Sequence, residues 1–153
     1  MVINGTISFE KCQSLISLGK LKKVKGSLDL SDCINLKDLG DLEKVTFELY
    51  IENCINLISL EKLKECSTIQ SWNCRNLKTL GNLIKIKSIG NFNDCINLTS
   101  LGKLKYVGDL FLKGCKNLKE LPKGLNVEGS IFIKDSGITE EYMKKYKPQL
   151  NYR

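Results

Sequence analysis

Cysteine recurs along this chain at a spacing that leaves little freedom of fold. Cys12, Cys33, Cys54, Cys74, Cys95 and Cys115 follow one another at 21, 21, 20, 21 and 20 residues, and Ser136 takes the next place 21 residues on. The same phrase surrounds them: Asp32-Cys33-Ile34-Asn35-Leu36, Asn53-Cys54-Ile55-Asn56-Leu57, Asn73-Cys74-Arg75-Asn76-Leu77, Asp94-Cys95-Ile96-Asn97-Leu98 and Gly114-Cys115-Lys116-Asn117-Leu118. Self-similarity at a short fixed period marks a stack of supersecondary units. No unit buries its apolar face alone, and neighbours together make one continuous core.

Upstream of each cysteine stands a triplet of apolar, variable and apolar residues, as in Ile7-Ser8-Phe9, Leu28-Asp29-Leu30, Leu49-Tyr50-Ile51, Leu110-Phe111-Leu112 and Ile131-Phe132-Ile133. That alternation predicts a short, half-buried strand. Ser71 and Gly90 replace an aliphatic residue in two of the triplets, so the third to fifth coils are expected to be the least regular. Downstream the period changes to three, as in Leu36, Leu39, Leu42 and Val45. Gly19, Gly40, Gly81, Gly102 and Gly124 interrupt this run and leave no room for a full helix. The expected coil has one short parallel strand and an extended or 3₁₀-like return path. The solenoid is expected to span residues 1–137, and residues 138–153 a capping helix and tail of the same domain.

The pattern L-x-L-x-x-C-x-N-L at this period resembles that of leucine-rich-repeat proteins, over essentially the whole chain. Leu121-Pro122-Lys123-Gly124-Leu125 and the short period look most like bacterial and phage repeats. The wording from Gly114 to Pro122 is also similar to repeats of plant immune receptors. The chain departs from the commonest consensus in placing leucine three residues after the Cys, with Asn intervening. The resemblance implies an α/β leucine-rich-repeat solenoid of about seven coils with strands on a concave side. It also implies protein binding in a host-interaction or defence setting.

Residues repeated once per coil become ladders. Cys is small and apolar with a weak donor, which suits a buried corner where its thiol can meet a carbonyl. Asn35, Asn56, Asn76, Asn97 and Asn117 form a second column whose amides can bond backbone groups at the corner. The alternative for the cysteines is metal binding, but the chain has neither a C-x-x-C pair nor a histidine. Cys66 lies off the ladder, at the place of Val45, and is expected to fill core. The thiols are expected to be free and no cofactor is implied. Without a signal-like start or a long apolar run, a cytoplasmic setting is expected and no membrane association.

At the C-terminal end, Ile138 to Tyr146 reads as a short helix capped by Thr139, with Glu140 and Glu141 at its start and lysines at its finish. Pro148 is expected to stop it, and Ile138, Tyr142 and Tyr146 to face the last coil. Val2 to Ile7 enters the first strand uncapped; that edge is either tolerated or pairs weakly with another copy.

With triplet apolars inward, their middle residues face outward as a column of Ser8, Asp29, Tyr50, Gln70, Asn91, Phe111 and Phe132. A second column follows as Glu10, Ser31, Glu52, Trp72, Asn93, Lys113 and Lys134. From these, Asp29, Tyr50, Glu52, Gln70, Trp72, Asn91, Asn93, Phe111, Lys113, Phe132 and Lys134 are the candidate partner-binding residues. Aromatics beside charges are what interfaces favour, although aromatics also simply favour strands. A register slip of one would invert the assignment. Charge divides along the chain. Residues 1–65 carry nine Lys against ten acids, and residues 66–153 fifteen Lys and Arg against seven. The lysines of the return path therefore suggest a second partner class, nucleic acid or another anion. Neither a nucleophile with its base nor a phosphate loop stands in a convincing context, so no enzymatic activity is expected.

Overall fold

The computed structural model describes residues 1–147 and 149–153. They form a parallel β-solenoid of about seven coils with one short helix near the C-terminus. The expected helix stop at Pro148 lies outside the described residues.

Each coil holds two short strands rather than the single one its triplet suggests. They are β1 (Val2–Ile3) and β2 (Ile7–Ser8), β3 (Lys23–Val24) and β4 (Leu28–Asp29), β5 (Lys44–Val45) and β6 (Glu48–Tyr50), and β7 (Glu65–Cys66) and β8 (Thr68–Gln70). In the next two coils the pair fuses into one bent strand, β9 (Lys85–Asn91) and β10 (Tyr106–Phe111). Then come β11 (Asn126–Val127), β12 (Ser130–Phe132), α1 (Glu140–Tyr146) and β13 (Asn151–Tyr152). The additional strand arises where the period-three run ends in Lys23-Val24, Lys44-Val45 or Glu65-Cys66. The apolar residue turns inward, and its neighbour pairs in parallel with the coils on either side. A third side is marked by parallel bridges joining Ser17 to Asp38, Ser59 to Thr79, and Thr79 to Ser100.

Chained turns produce the period of three. In each repeat the leucine N–H donates three residues back, as from Leu36 to Cys33 and from Leu42 to Leu39. Leu36 closes the first of these turns, Leu39 and Leu42 bound the second and Val45 lies in β5, and all four are buried. The hydroxyl or carboxylate two residues before the turn glycine accepts its N–H, as Asp38 does from Gly40 at 2.8 Å and Ser100 from Gly102 at 3.0 Å. Gly40, Gly81 and Gly102 all have φ +58°, and a Cβ on Gly102 would lie 2.3 Å from the carbonyl oxygen of Gly81. Only a residue without Cβ fits both requirements.

The cysteine corner has a definite chemistry. The carbonyl of the last triplet residue accepts the N–H of the cysteine three residues on, closing a turn whose third residue is left-handed. Lys11, Asp32, Asn53, Asn73, Asp94, Gly114 and Asp135 occupy that place with φ between 56° and 73°. Asn, Asp and Gly tolerate this conformation best, which explains the residue before every ladder cysteine except Cys12, where Lys11 stands. The same carbonyl then takes a second bond, from the cysteine thiol of the next coil. Cys33 donates to Phe9 (3.0 Å), Cys54 to Leu30 (3.2 Å), Cys74 to Ile51 (2.9 Å), Cys95 to Ser71 (3.1 Å) and Cys115 to Phe92 (3.0 Å). All seven thiols are free, and only Cys12 is not buried. Burial pushes the Cys54 thiol up to about 12 and raises those of Cys66 and Cys115 as well.

The asparagine column is less uniform. Asn35 and Asn56 donate to the carbonyls of Gln13 (2.9 Å) and Ile34 (2.8 Å), whereas Asn117 donates to the Asn97 side chain at 3.3 Å.

Of the coils expected to be least regular, the fifth contains the longest strand, β9, at seven residues. Ser71 is fully buried and gives its hydroxyl to the Asn91 carbonyl at 2.8 Å. Phe92, the largest fully buried side chain, takes the space over Gly90, where a Cβ would meet its ring at 3.1 Å. Size is exchanged between neighbouring positions, and the core stays filled.

Every change between 20 and 21 residues falls at one corner, the link from the first strand of a coil to the second. Val45 and Leu49 enclose three residues, Cys66 and Ile69 two, Ile86 and Gly90 three, and Val107 and Leu110 two. The ladders remain in register on both sides.

In the first coil Ile3, Ile7, Phe9, Cys12, Leu15 and Leu18 are only partly buried, since they have a neighbour on one side. The other end differs from expectation. Thr139 caps α1 by accepting from Tyr142 N at 3.1 Å, but Met143, not Tyr146, is buried with Ile138. Tyr142 sits at the rim because its hydroxyl accepts from Leu121 N at 3.0 Å, and Tyr146 is turned out beyond it. The tail forms β13 and pairs in parallel with β12 as a further rung.

Candidate functional site

The pairing register places the two outward columns as the triplets require. Ser8 lies beside Asp29, Asp29 beside Tyr50, Tyr50 beside Gln70, Gln70 beside Asn91, Asn91 beside Phe111 and Phe111 beside Phe132. The flanking triplet residues of the inner coils are buried. The eleven candidate residues therefore share one exposed or half-exposed face, roughly 29 Å long at ~4.8 Å per strand over six intervals.

The face changes chemistry along its length. At the acidic end, Asp29 accepts the Ser31 N–H at 2.9 Å, and the Ser31 hydroxyl donates to Glu52 at 2.7 Å. Partial burial raises the Tyr50 hydroxyl above its usual range, and the carboxylates of Glu48, Glu52 and Asp29 add to the effect. In the middle, Asn91 donates to Gln70 at 2.9 Å, and Asn93 accepts the Lys113 N–H at 2.8 Å. Towards the other end the Phe111 and Phe132 rings stack with centroids 4.3 Å apart and planes 6° from parallel. Each ring thus covers one face of the other. Lys113 and Lys134 stand beside them, exposed and without an ion-pair partner among the described residues.

Trp72 differs from the other aromatics of this face, because 43% of it remains exposed while Tyr50, Phe111 and Phe132 are half-buried. It borders a cleft of about 490 Å³ shared with Asn73, Arg75, Asp94, Ile96, Gly114 and Lys116. Arg75 donates through Nε to Asn73 at 2.7 Å, and Asn73 donates to Asn53 at 2.7 Å, which fixes the guanidinium at the corner. Arg75 and Lys116 were not among the residues expected here. They stand one place after the cysteine, where Ile34, Ile55 and Ile96 are found in other coils, and that substitution was the available signal.

The lysines of the return path divide into two groups. Lys62 pairs with Asp41 (2.6 Å), Lys64 with Glu43 (2.7 Å), and Glu65 with both Lys44 (3.1 Å) and Lys87 (3.2 Å). These contacts lower the titration of Asp41, Glu43 and Glu65. Lys20, Lys22, Lys23, Lys85, Lys103 and Lys105 have no such partner among the described residues. Among those residues no group of three or more His, Cys, Asp or Glu is placed to hold a metal, and no helix is long and apolar enough to cross a membrane.

Comparison with protein-family models, curated proteins and solved structures gives no match.

Proposed function

We propose that this chain is a non-enzymatic protein-binding module of leucine-rich-repeat type. Its contact surface is the outward face of the second ladder, and it acts as an adaptor or inhibitor on a larger protein. The observation that carries this reading is Trp72. A tryptophan exposed at the middle of an in-register face, between an acidic and a basic end, is the residue type that most often anchors interfaces. The extended return path then serves as a scaffold that holds the face at a fixed curvature, with the sheet on the concave side.

The test is Tyr50→Ala, Trp72→Ala and Phe111→Ala together, assayed by affinity capture from the native host with circular dichroism as the control. Loss of the captured partner with an unchanged fold is the expected result. Undiminished capture would overturn the assignment of this face.

A second reading draws on the six unpaired lysines of the return path and the excess of positive charge beyond residue 65: binding of nucleic acid or another anion. It predicts steeply salt-dependent retention on heparin or nucleic acid. Absence of retention at ~0.1 M salt would exclude it.

A further inference from the structure

Lys147 is buried to within 8% of its surface, unlike every other lysine of the described chain. Its backbone N–H closes α1 on the Met143 carbonyl at 2.9 Å, and its ammonium donates to the Pro122 carbonyl at 3.0 Å. An ammonium has three donors, and a buried one is costly unless it is paired or fully hydrogen-bonded. No carboxylate lies within ion-pair distance of Lys147 among the described residues. One neutral carbonyl compensates it only in part.

This residue lines a cleft of about 480 Å³ between α1 and the turn at Lys119–Lys123, together with Lys119, Glu120, Leu121, Lys123, Tyr142 and Tyr146. Lys119 also spends one donor on a backbone carbonyl, that of Lys116 at 2.8 Å. Three ammonium groups against one carboxylate leave the lining with a surplus of two positive charges. A phosphoryl group near neutral pH carries about −1.5 to −2, which matches that surplus better than a single carboxylate would. The volume lies within the range of about 300–1,000 Å³ typical of small-molecule sites, so there is room for more than the anion itself. Tyr146 is 57% exposed, and its ring stands 5.2 Å from that of Tyr142. Lys145 covers one of its faces at 5.0 Å, and stacking on the other would seat a planar body next to the lysines.

We propose that the cleft between α1 and the Lys119–Lys123 turn is a phosphoryl-binding site, with Lys147 as its buried anchor, Lys119 and Lys123 as its exposed cationic rim and Tyr146 as the platform for a planar ligand. None of these residues belongs to the outward sheet columns, so the site is independent of the protein-binding face. Its lysines are also none of the six unpaired lysines of the return path.

The test is isothermal titration of the whole chain with inorganic phosphate and, separately, with adenosine monophosphate. One saturable site for either probe is expected. Tighter binding of the nucleotide than of phosphate, reduced to the phosphate value by Tyr146→Ala, identifies a ring-bearing ligand. Equal affinities would overturn Tyr146 as a platform and leave a site for the anion alone. Lys147→Met keeps the buried stem and should weaken either probe roughly tenfold. Should that variant not fold, Lys119→Gln with Lys123→Gln, both at exposed positions, should weaken binding in the same direction. No saturable binding of either probe, or binding untouched by the lysine substitutions, would overturn the proposal. Heparin retention measured on the same samples separates the two ideas, since retention without a saturable phosphate site leaves the broader lysine reading standing.

Discussion

Gly19 and Gly102 occupy the same place in their coils and share a left-handed backbone, at φ +55° and +58°, but only one of them has a coil in front of it. A Cβ on Gly19 would meet nothing within 4 Å, whereas on Gly102 it would lie 2.3 Å from the Gly81 oxygen, 2.9 Å from its nitrogen and 3.1 Å from its carbon. Gly19→Ala therefore reports the cost of a left-handed alanine alone, about 1–2 kcal/mol, offset by about 0.4–1 kcal/mol from a stiffer unfolded chain. Gly102→Ala carries the same two contributions plus displacement of rigid backbone, for which overpacking costs of about 1–3 kcal/mol apply. The difference between the two variants cancels the shared contributions and should come to about 2 kcal/mol, with Gly102→Ala the less stable. Urea unfolding followed by circular dichroism measures it, provided the slopes of the two transitions agree. Equal destabilisation, within about 0.5 kcal/mol, would refute the claim that close stacking of turns selects glycine in this column. The third coil shows how the requirement can be escaped: Glu61 holds the place without a positive φ.

Two further outcomes follow from the core. Native protein should expose a single rapidly labelled thiol, Cys12, to an aromatic disulfide reagent, and labelling of the other six should need unfolding. Because the folded Cys54 thiol ionises near 12 and the unfolded one near 9, its contribution is intact below pH 9 and lost between pH 9 and 12, so pH-dependent urea midpoints should fall across that window. Phe92→Ala should cost about 3–5 kcal/mol, and Gly90→Ala should be less harmful in that background than in the parent, with the Ile86 side chain at 3.0 Å as the contact that remains. Additive effects in that cycle would show that the ring and the glycine do not share one volume.

Much of this architecture could be read from the chain because repetition turns a local pattern into a column. The triplets gave the strand register, and with it the outward faces from Ser8 to Phe132 and from Glu10 to Lys134. The cysteines gave the corner. What the pattern concealed was a second strand of two residues, too short for any alternation to show. Also hidden was the tail strand at Asn151–Tyr152, whose pairing depends on where α1 returns the chain. Tyr146 was misplaced because helical spacing orders faces but does not say which neighbour sits at the centre of the buried one. Arg75 and Lys116 meet Trp72 only across the corner, and sequence distance does not measure that separation.

The corner between the paired strands has a bearing on how such a chain can change. It works as a slip joint. A residue can be gained or lost there, as at Cys66–Ile69 and Val107–Leu110, while the thiol column and both ladders keep step. Phe47, exposed at this corner, shows that a bulky side chain is accepted too. Short loops inserted at 46–48 or 87–89 would project from the stack without altering the order in which the sheet presents its acidic, aromatic and basic residues. The display surface and the site of length variation are thus mechanically separate, which leaves the molecule free to acquire new contacts at its corner while preserving the old ones on its face.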